Sequence, residues 1–175
     1  MNRVPDALEL LDKGQKSFPG HVSLMFVNAV YLERSGQVEA CIEQIKEVLA
    51  KEPNHHASMN FLGYIYAELD RSLDEAERLL RRALELKPAD GYYTDSLAWV
   101  YFKKGELEKA KEFLNLALRL IPNEGVVFEH LGEVYLAEGN KKEALQLFGK
   151  ALQVRLDDRD RKRIKERMAE LQDDA

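Results

Sequence analysis

The sequence predicts an all-α array of antiparallel helix pairs stacked as an α-α superhelix. Three observations predict it: prolines at a fixed interval, small and large residues returning in register between them, and a helix-favouring composition. Pro19, Pro53, Pro88 and Pro122 are separated by 34, 35 and 34 residues. A period of this length marks repeated supersecondary units, each too small to bury its own apolar face and each completed by its neighbours. Between the prolines, Leu62, Gly63 and Tyr66 precede Ala76 and Ala83; Leu97, Ala98 and Tyr101 precede Ala110 and Ala117; Leu131, Gly132 and Tyr135 precede Ala144 and Ala151. Of the 175 residues, 45% are hydrophobic and 33% charged, and there are only 10 Gly and 5 Pro, which leaves little room for sheets.

Gly105 and Gly139 each follow a repeated tyrosine by four residues, where a left-handed turn between two antiparallel helices needs glycine. Each interval therefore reads as helix, tight turn, helix. Residues 1–21 supply only a second helix, with Pro5 suited to a first turn and Ala7 and Leu11 in register. Four pairs follow, over 22–55, 56–90, 91–124 and 125–158. The second of these carries one extra residue around Asp70, Arg71 and Ser72, in its turn, where insertion costs least. Residues 159–175 keep Ile164, Met168 and Leu171 at helical spacing in a charged context, which suits a capping helix with one apolar stripe. The expectation is one continuous array of ten helices.

These residues resemble the tetratricopeptide repeat family, whose 34-residue pattern runs through a large residue, Leu-Gly, Tyr, Ala, an aromatic, Ala and Pro. Phe128, Leu131, Gly132, Tyr135, Gly139, Ala144, Phe148 and Ala151 reproduce it, with Leu156 in place of the final proline. The unit at 22–55 departs most, with Asn28, Leu32, Cys41 and Val48 at family positions, but Met25, Ala29, Gly36 and Pro53 keep its register. The stretches Asn60–Tyr64, Asp95–Tyr101 and His130–Tyr135 also resemble the C-terminal halves of bacterial envelope tetratricopeptide lipoproteins, some of which are similar to adaptors of a periplasmic protease. That likeness implies the periplasmic side of a bacterial envelope, with any lipid anchor in a segment outside this sequence; without it the expected compartment is the cytoplasm.

By the family resemblance, the first helix of each unit lines a concave face and binds a protein or peptide. The positions it implies include Phe26 and Val30; Asn60 and Tyr64; Tyr92, Asp95, Trp99 and Phe102; and Glu129 and Glu133. Such a groove is aromatic and acidic, and its expected ligand is an apolar segment with Lys or Arg beside it. Without any family, Trp99 and Phe102 fall outside the core stripe of Leu97, Ala98 and Tyr101, so their helix is apolar on two faces and is either sandwiched or meets a partner. Asp95, Glu129 and Glu133 read more readily as a solvated face than as a recognition feature. The Lys and Asn pairs of carboxylate-clamp members are absent from these positions.

A formal charge of −5 offers no basic stripe for a phosphate backbone, so nucleic acid is not an expected partner, and an RNA-reading helical repeat is the remote alternative. The four histidines form no catalytic constellation. His130 has Glu129 beside it and Glu133 three residues on, but no further metal ligand is identifiable, and no phosphate loop, zincin helix or hydrolase elbow is present. No cofactor is implied, and the expectation is a non-enzymatic scaffold. Cys41 lies in an apolar helical pattern and reads as a small buried hydrophobe. No apolar run reaches the roughly 18–20 residues of a membrane span, and the first residues lack a signal-peptide core, so a soluble chain is expected. A second mode of action is homodimerisation through the N-terminal edge that carries Leu8 and Leu11.

Overall fold

A computed structural model describes residues 4–154 and 156–173, and within these the chain forms ten α-helices. The first three residues of the expected orphan segment and the last two of the expected cap lie outside the described residues. Two compact units, residues 1–62 and 63–175, divide within the fourth helix.

The first unit holds α1 (Val4–Ser17), α2 (Val22–Arg34), α3 (Val38–Lys51) and the start of α4 (His56–Glu68). Met25 and Ala29 of α2 pack with Cys41, Ile42, Ile45 and Val48 of α3, all buried. Burial, reinforced by the negative charge of Glu33, pushes the Cys41 thiol up to about 11, so it stays protonated and inert. In contrast, α1 buries none of its residues.

The second unit continues α4 and adds α5 (Leu73–Leu86), α6 (Gly91–Lys103), α7 (Leu107–Leu120), α8 (Gly125–Ala137), α9 (Lys141–Gln153) and α10 (Asp158–Asp173). The main pairings are α6 with α7 and α8 with α9, while α5 also meets α6, α7 meets α8, and α9 meets α10. The alanines at 76, 83, 110, 117, 144 and 151 are all at 0% exposure, which is why larger residues there would overpack the unit. Gly63 and Gly132 permit close helix approach: a Cβ on Gly63 would meet Leu80 Cγ at 2.7 Å, and one on Gly132 would meet Phe148 Cε1 at 2.6 Å. Each of α1, α3, α5 and α7 stops two residues before a proline, which lacks the N–H that would continue the helix.

The helix–helix turns share one hydrogen-bond pattern. Gly105 N–H donates to the Phe102 carbonyl and Glu106 N–H to that of Tyr101, both at 2.9 Å, with Gly105 at φ 75°. Gly139 and Asn140 repeat this after α8. After α4 the left-handed residue is Asp70, φ 50°, with Asp70 N–H bonded to Ala67 and Arg71 N–H to Tyr66. The inserted residue is absorbed next, where Ser72 also turns left-handed, φ 51°, before α5 starts. Asp and Ser tolerate this region better than branched side chains, so the insertion leaves the helices intact.

At the C-terminal end of α6, Glu77 of α5 accepts from Lys104 at 2.7 Å, from Arg81 Nε at 2.9 Å and from the Tyr101 hydroxyl at 3.2 Å, and Arg81 also donates to that hydroxyl. Hydrogen bonding from Lys104, opposed by desolvation and helped by Arg81, holds the Glu77 carboxyl down at about 2. This network fastens α5 to the end of α6.

Candidate binding cleft

Within the second unit, the stripe expected to line a groove comes together on α6, α8 and α10. An i, i+4 step puts Asp95 and Trp99 on one face of α6, Glu129 and Glu133 on one face of α8, and Arg163 and Arg167 on one face of α10. Arg163 Nε and Nη2 grip the two oxygens of Glu129, each at 2.6 Å, and Arg163 Nη1 also reaches Asp160 at 3.0 Å. One turn on, Arg167 Nε and Nη2 grip Glu133 at 2.9 and 3.1 Å. Two forked, charge-assisted contacts of this kind fix both the position and the rotation of α10 on α8.

Between α6 and α8, His130 Nδ1 donates to Asp95 Oδ1 at 2.9 Å, and both groups are buried. Burial pulls the His130 imidazole down, but the bonded Asp95 carboxylate and the charges of Glu129 and Glu68 outweigh it and raise it above its ordinary value. The His130 ring lies against Trp99, centroids 4.1 Å apart and planes within 14°, and Phe102 stacks on Trp99 at 4.7 Å. Trp99 Nε1–H donates to Glu68 at the end of α4, 2.6 Å away, and the Lys103 ammonium sits 5.1 Å from the indole centroid. Tyr64 approaches the His130 ring at 6.4 Å, and burial first, then Glu68 and Asp95, push its hydroxyl well up.

These groups border a cleft of about 270 Å³ lined by Glu68, Trp99, Lys103, Glu129, His130, Glu133, Arg163 and Arg167. The structure changes its expected character. The acidic stripe is not a solvated face: Asp95 is 7% and Glu129 6% exposed, because His130 covers and hydrogen-bonds the first and Arg163 covers and neutralises the second. Trp99 is 8% exposed, so α6 is sandwiched, and Tyr93 to Tyr101 is buried without a break. Phe102 and Tyr64 are half-buried beside it. Tyr92 stands apart, 57% exposed, its hydroxyl donating to Glu124 at 3.2 Å.

The remaining expected residues belong to the first unit. Phe26 packs against His55 and Phe61, at 5.3 and 6.0 Å, and Val30 is half-buried. The Asn60 amide oxygen is buried without a donor among the described residues. Among those residues no group of three or more His, Cys, Asp or Glu is arranged to hold a metal ion, and no helix is long and apolar enough to cross a membrane.

Arg163 and Arg167 went unrecognised in the sequence although the period points to them. They lie 34 residues beyond Glu129 and Glu133. The capping helix therefore keeps the register of a first helix, and continuing the repeat count past residue 158 finds both arginines.

Tetratricopeptide repeat family models match residues 26–91, 95–124 and 127–162. A TPR repeat-containing protein of Pseudomonas aeruginosa is 28% identical over 101 residues, which are 58% of this chain but only 17% of that protein's length. Among solved structures, a thermophilic TPR protein of Thermus thermophilus, TTC0263, is 26% identical with a TM-score of 0.81, covering 97% of this chain and 90% of its own. MamA of Desulfovibrio magneticus RS-1, at 22% identity and TM-score 0.70, covers 87% of this chain and 85% of its own, and shares the fold. With its helix–turn–helix period, alanine-lined pairs and left-handed turns, the chain belongs to the tetratricopeptide repeat family and has its all-α superhelical fold.

Proposed function

We propose that this chain is a non-enzymatic protein-interaction scaffold that holds a peptide or helical segment of a partner in the cleft bordered by α6, α8 and α10. One observation carries the reading: the stripe that the family uses for binding opens, in the second unit, into a cleft with an aromatic wall and a rim of long charged side chains. Arg and aromatic groups combine apolar area with directional hydrogen bonding, the composition of binding hot spots. The ion pairs fix the cleft walls in advance, which lowers the ordering cost of binding. A photo-crosslinking residue at Phe102, compared with one at the exposed Leu116 of α7, tests this in extract of the source organism. The expected result is a partner captured at 102 and not at 116; capture at 116 alone removes the reading.

A second reading, pairing of two copies through α1, is supported by that helix's lack of buried residues, by Leu10 at 71% exposure, and by a cleft of about 420 Å³ bordered by Val4, Ala7, Leu10 and Tyr31. Light scattering over a concentration series tests it, and a monomer throughout refutes it. The envelope resemblance makes the periplasmic side the compartment to examine by fractionation.

A further inference from the structure

We infer that the occupant of the α6–α8–α10 cleft is an apolar segment bearing Lys or Arg, and that its entry is coupled to loss of a proton from the His130–Asp95 pair. This rests on the cleft being the binding site and specifies the chemistry it accepts and the protonation state that accepts it. Five carboxylates stand in or against the cleft: Glu68, Glu129 and Glu133 in its lining, Asp95 bonded to His130, and Asp160 beside Arg163. Among the described residues of the lining, three permanent cations answer them, Lys103, Arg163 and Arg167. The two arginines are forked onto Glu129 and Glu133. Glu68 takes the neutral Trp99 indole N–H, and Lys103, over the same indole, offsets its charge. The excess of negative charge therefore falls on Asp95 and Asp160.

Whether Asp95 is matched depends on His130. The Nδ1–H bond to Asp95, 2.9 Å long, can be made by the neutral and the protonated ring alike, so the pair holds together as it titrates. What changes is the charge bordering the cleft, together with Nε2, an acceptor on the neutral ring and a donor on the protonated one. The ring is faced by Tyr64 and Glu68 from α4 and by Asp95 and Trp99 from α6. Glu129 adjoins it on its own helix, and Arg163 and Asp160 of α10 reach it through Glu129. Burial opposes the proton, but Asp95, Glu129 and Glu68 outweigh burial, so the ring keeps its proton to higher pH than an ordinary histidine. A Lys or Arg entering beside Glu68 compensates the same excess of carboxylate. Proton and incoming cation therefore compete, each weakening the other by the same factor. Phe102, half-buried against Trp99, gives the apolar part of the segment its contact. The neutral His130 state binds a basic segment more tightly than the protonated state does.

The test uses the full chain and three short synthetic peptides that share one apolar sequence, flanked by Lys, by Ser, or by Asp. Trp99 is the only tryptophan, so its fluorescence reports this cleft, and calorimetry in two buffers of different ionisation heat counts the protons released. The Lys peptide should bind tightest. Its affinity should rise about tenfold as pH climbs through the titration of His130, in a window reaching above the ordinary histidine value of 6.5, with proton release on binding. The Ser peptide should show no such dependence, and the Asp peptide the opposite one. His130→Asn keeps an amide donor for Asp95 but cannot titrate, so the Lys peptide should bind it equally across that window. Should that variant not fold, nuclear magnetic resonance of the unmodified chain decides: the His130 imidazole must titrate at lower pH with the Lys peptide bound than without it. A Lys peptide whose affinity ignores pH, a pH dependence that survives in folded His130→Asn, or an imidazole titration unmoved by the peptide overturns the inference. An Asp peptide that binds as tightly as the Lys peptide throughout overturns the charge assignment and leaves the cleft as the binding site. Binding by none removes the cleft, and the inference with it.

Discussion

Consider adding a single methyl group at Gly132 and, separately, at Gly149. Both are helical, in α8 and α9, and replacing a mid-helix glycine with alanine normally stabilises by about 1 kcal/mol through backbone entropy. At Gly149 no heavy atom lies within 4 Å of the new Cβ, so Gly149→Ala should realise that full gain. At Gly132 the same Cβ would stand 2.6, 2.9 and 3.1 Å from three atoms of the Phe148 ring. Phe148 is at 0% exposure and cannot swing away, so α8 and α9 must separate or the ring must leave its rotamer. Overpacking of this kind costs about 1–3 kcal/mol, which offsets the helix gain and leaves Gly132→Ala destabilised by up to about 2 kcal/mol. Urea denaturation followed by circular dichroism measures both, and the difference between the variants isolates the steric cost from the shared backbone gain. Because repeat arrays can unfold in parts, the comparison should use the transition that also moves Trp99 fluorescence. If Gly132→Ala proved as stabilising as Gly149→Ala, close approach of α8 and α9 would not be what requires glycine there.

Three further outcomes are expected. Arg163→Ala leaves the nearly buried Glu129 without its cation and should cost about 2 kcal/mol, less than the roughly 3–5 of a fully buried pair because Arg163 is 42% exposed; Arg167→Ala should cost less, since Glu133 is 20% exposed, and equal losses in urea melts would contradict that ranking. Glu77 is depressed in the folded state to about 2, so its contribution is complete above the usual glutamate range near 4.5 and disappears as pH falls toward 2; Glu77→Gln should flatten stability across that window, and an unchanged acid limb would show the network to be inconsequential. Cys41, buried with its thiol near 11, should react with an aromatic disulfide reagent only as fast as the first unit opens, and reaction at the denatured rate under native conditions would contradict its burial.

The helices and turns were legible because they answer to local chemistry. Glycine four residues after a tyrosine, proline two residues after a helix, and the extra residue at Asp70 to Ser72 each declare themselves within a few positions. The cleft answers to chemistry between residues a full period apart, which single-helix reading misses. Asp95 and Glu129 read as surface acids because neither has a Lys or Arg beside it in sequence; their partners, His130 and Arg163, are 35 and 34 residues away. Trp99 was recognised as lying outside its own helix's core stripe, yet whether its second face met solvent or protein depended on His130 and Glu68, on other helices.

The register of α10 bears on how such a chain could change length over evolution. Since Arg163 and Arg167 occupy the same repeat positions as Glu129 and Glu133, a duplicated 34-residue segment inserted between α9 and α10 would present a fresh copy of both glutamates to the arginines. The displaced original pair would then face glutamates of the copy, like charge against like. Growth by simple duplication is therefore penalised at once at those two sites, and a lengthened descendant would need to recode one of its two acidic pairs, leaving a compositional scar by which the event could be dated relative to other repeats.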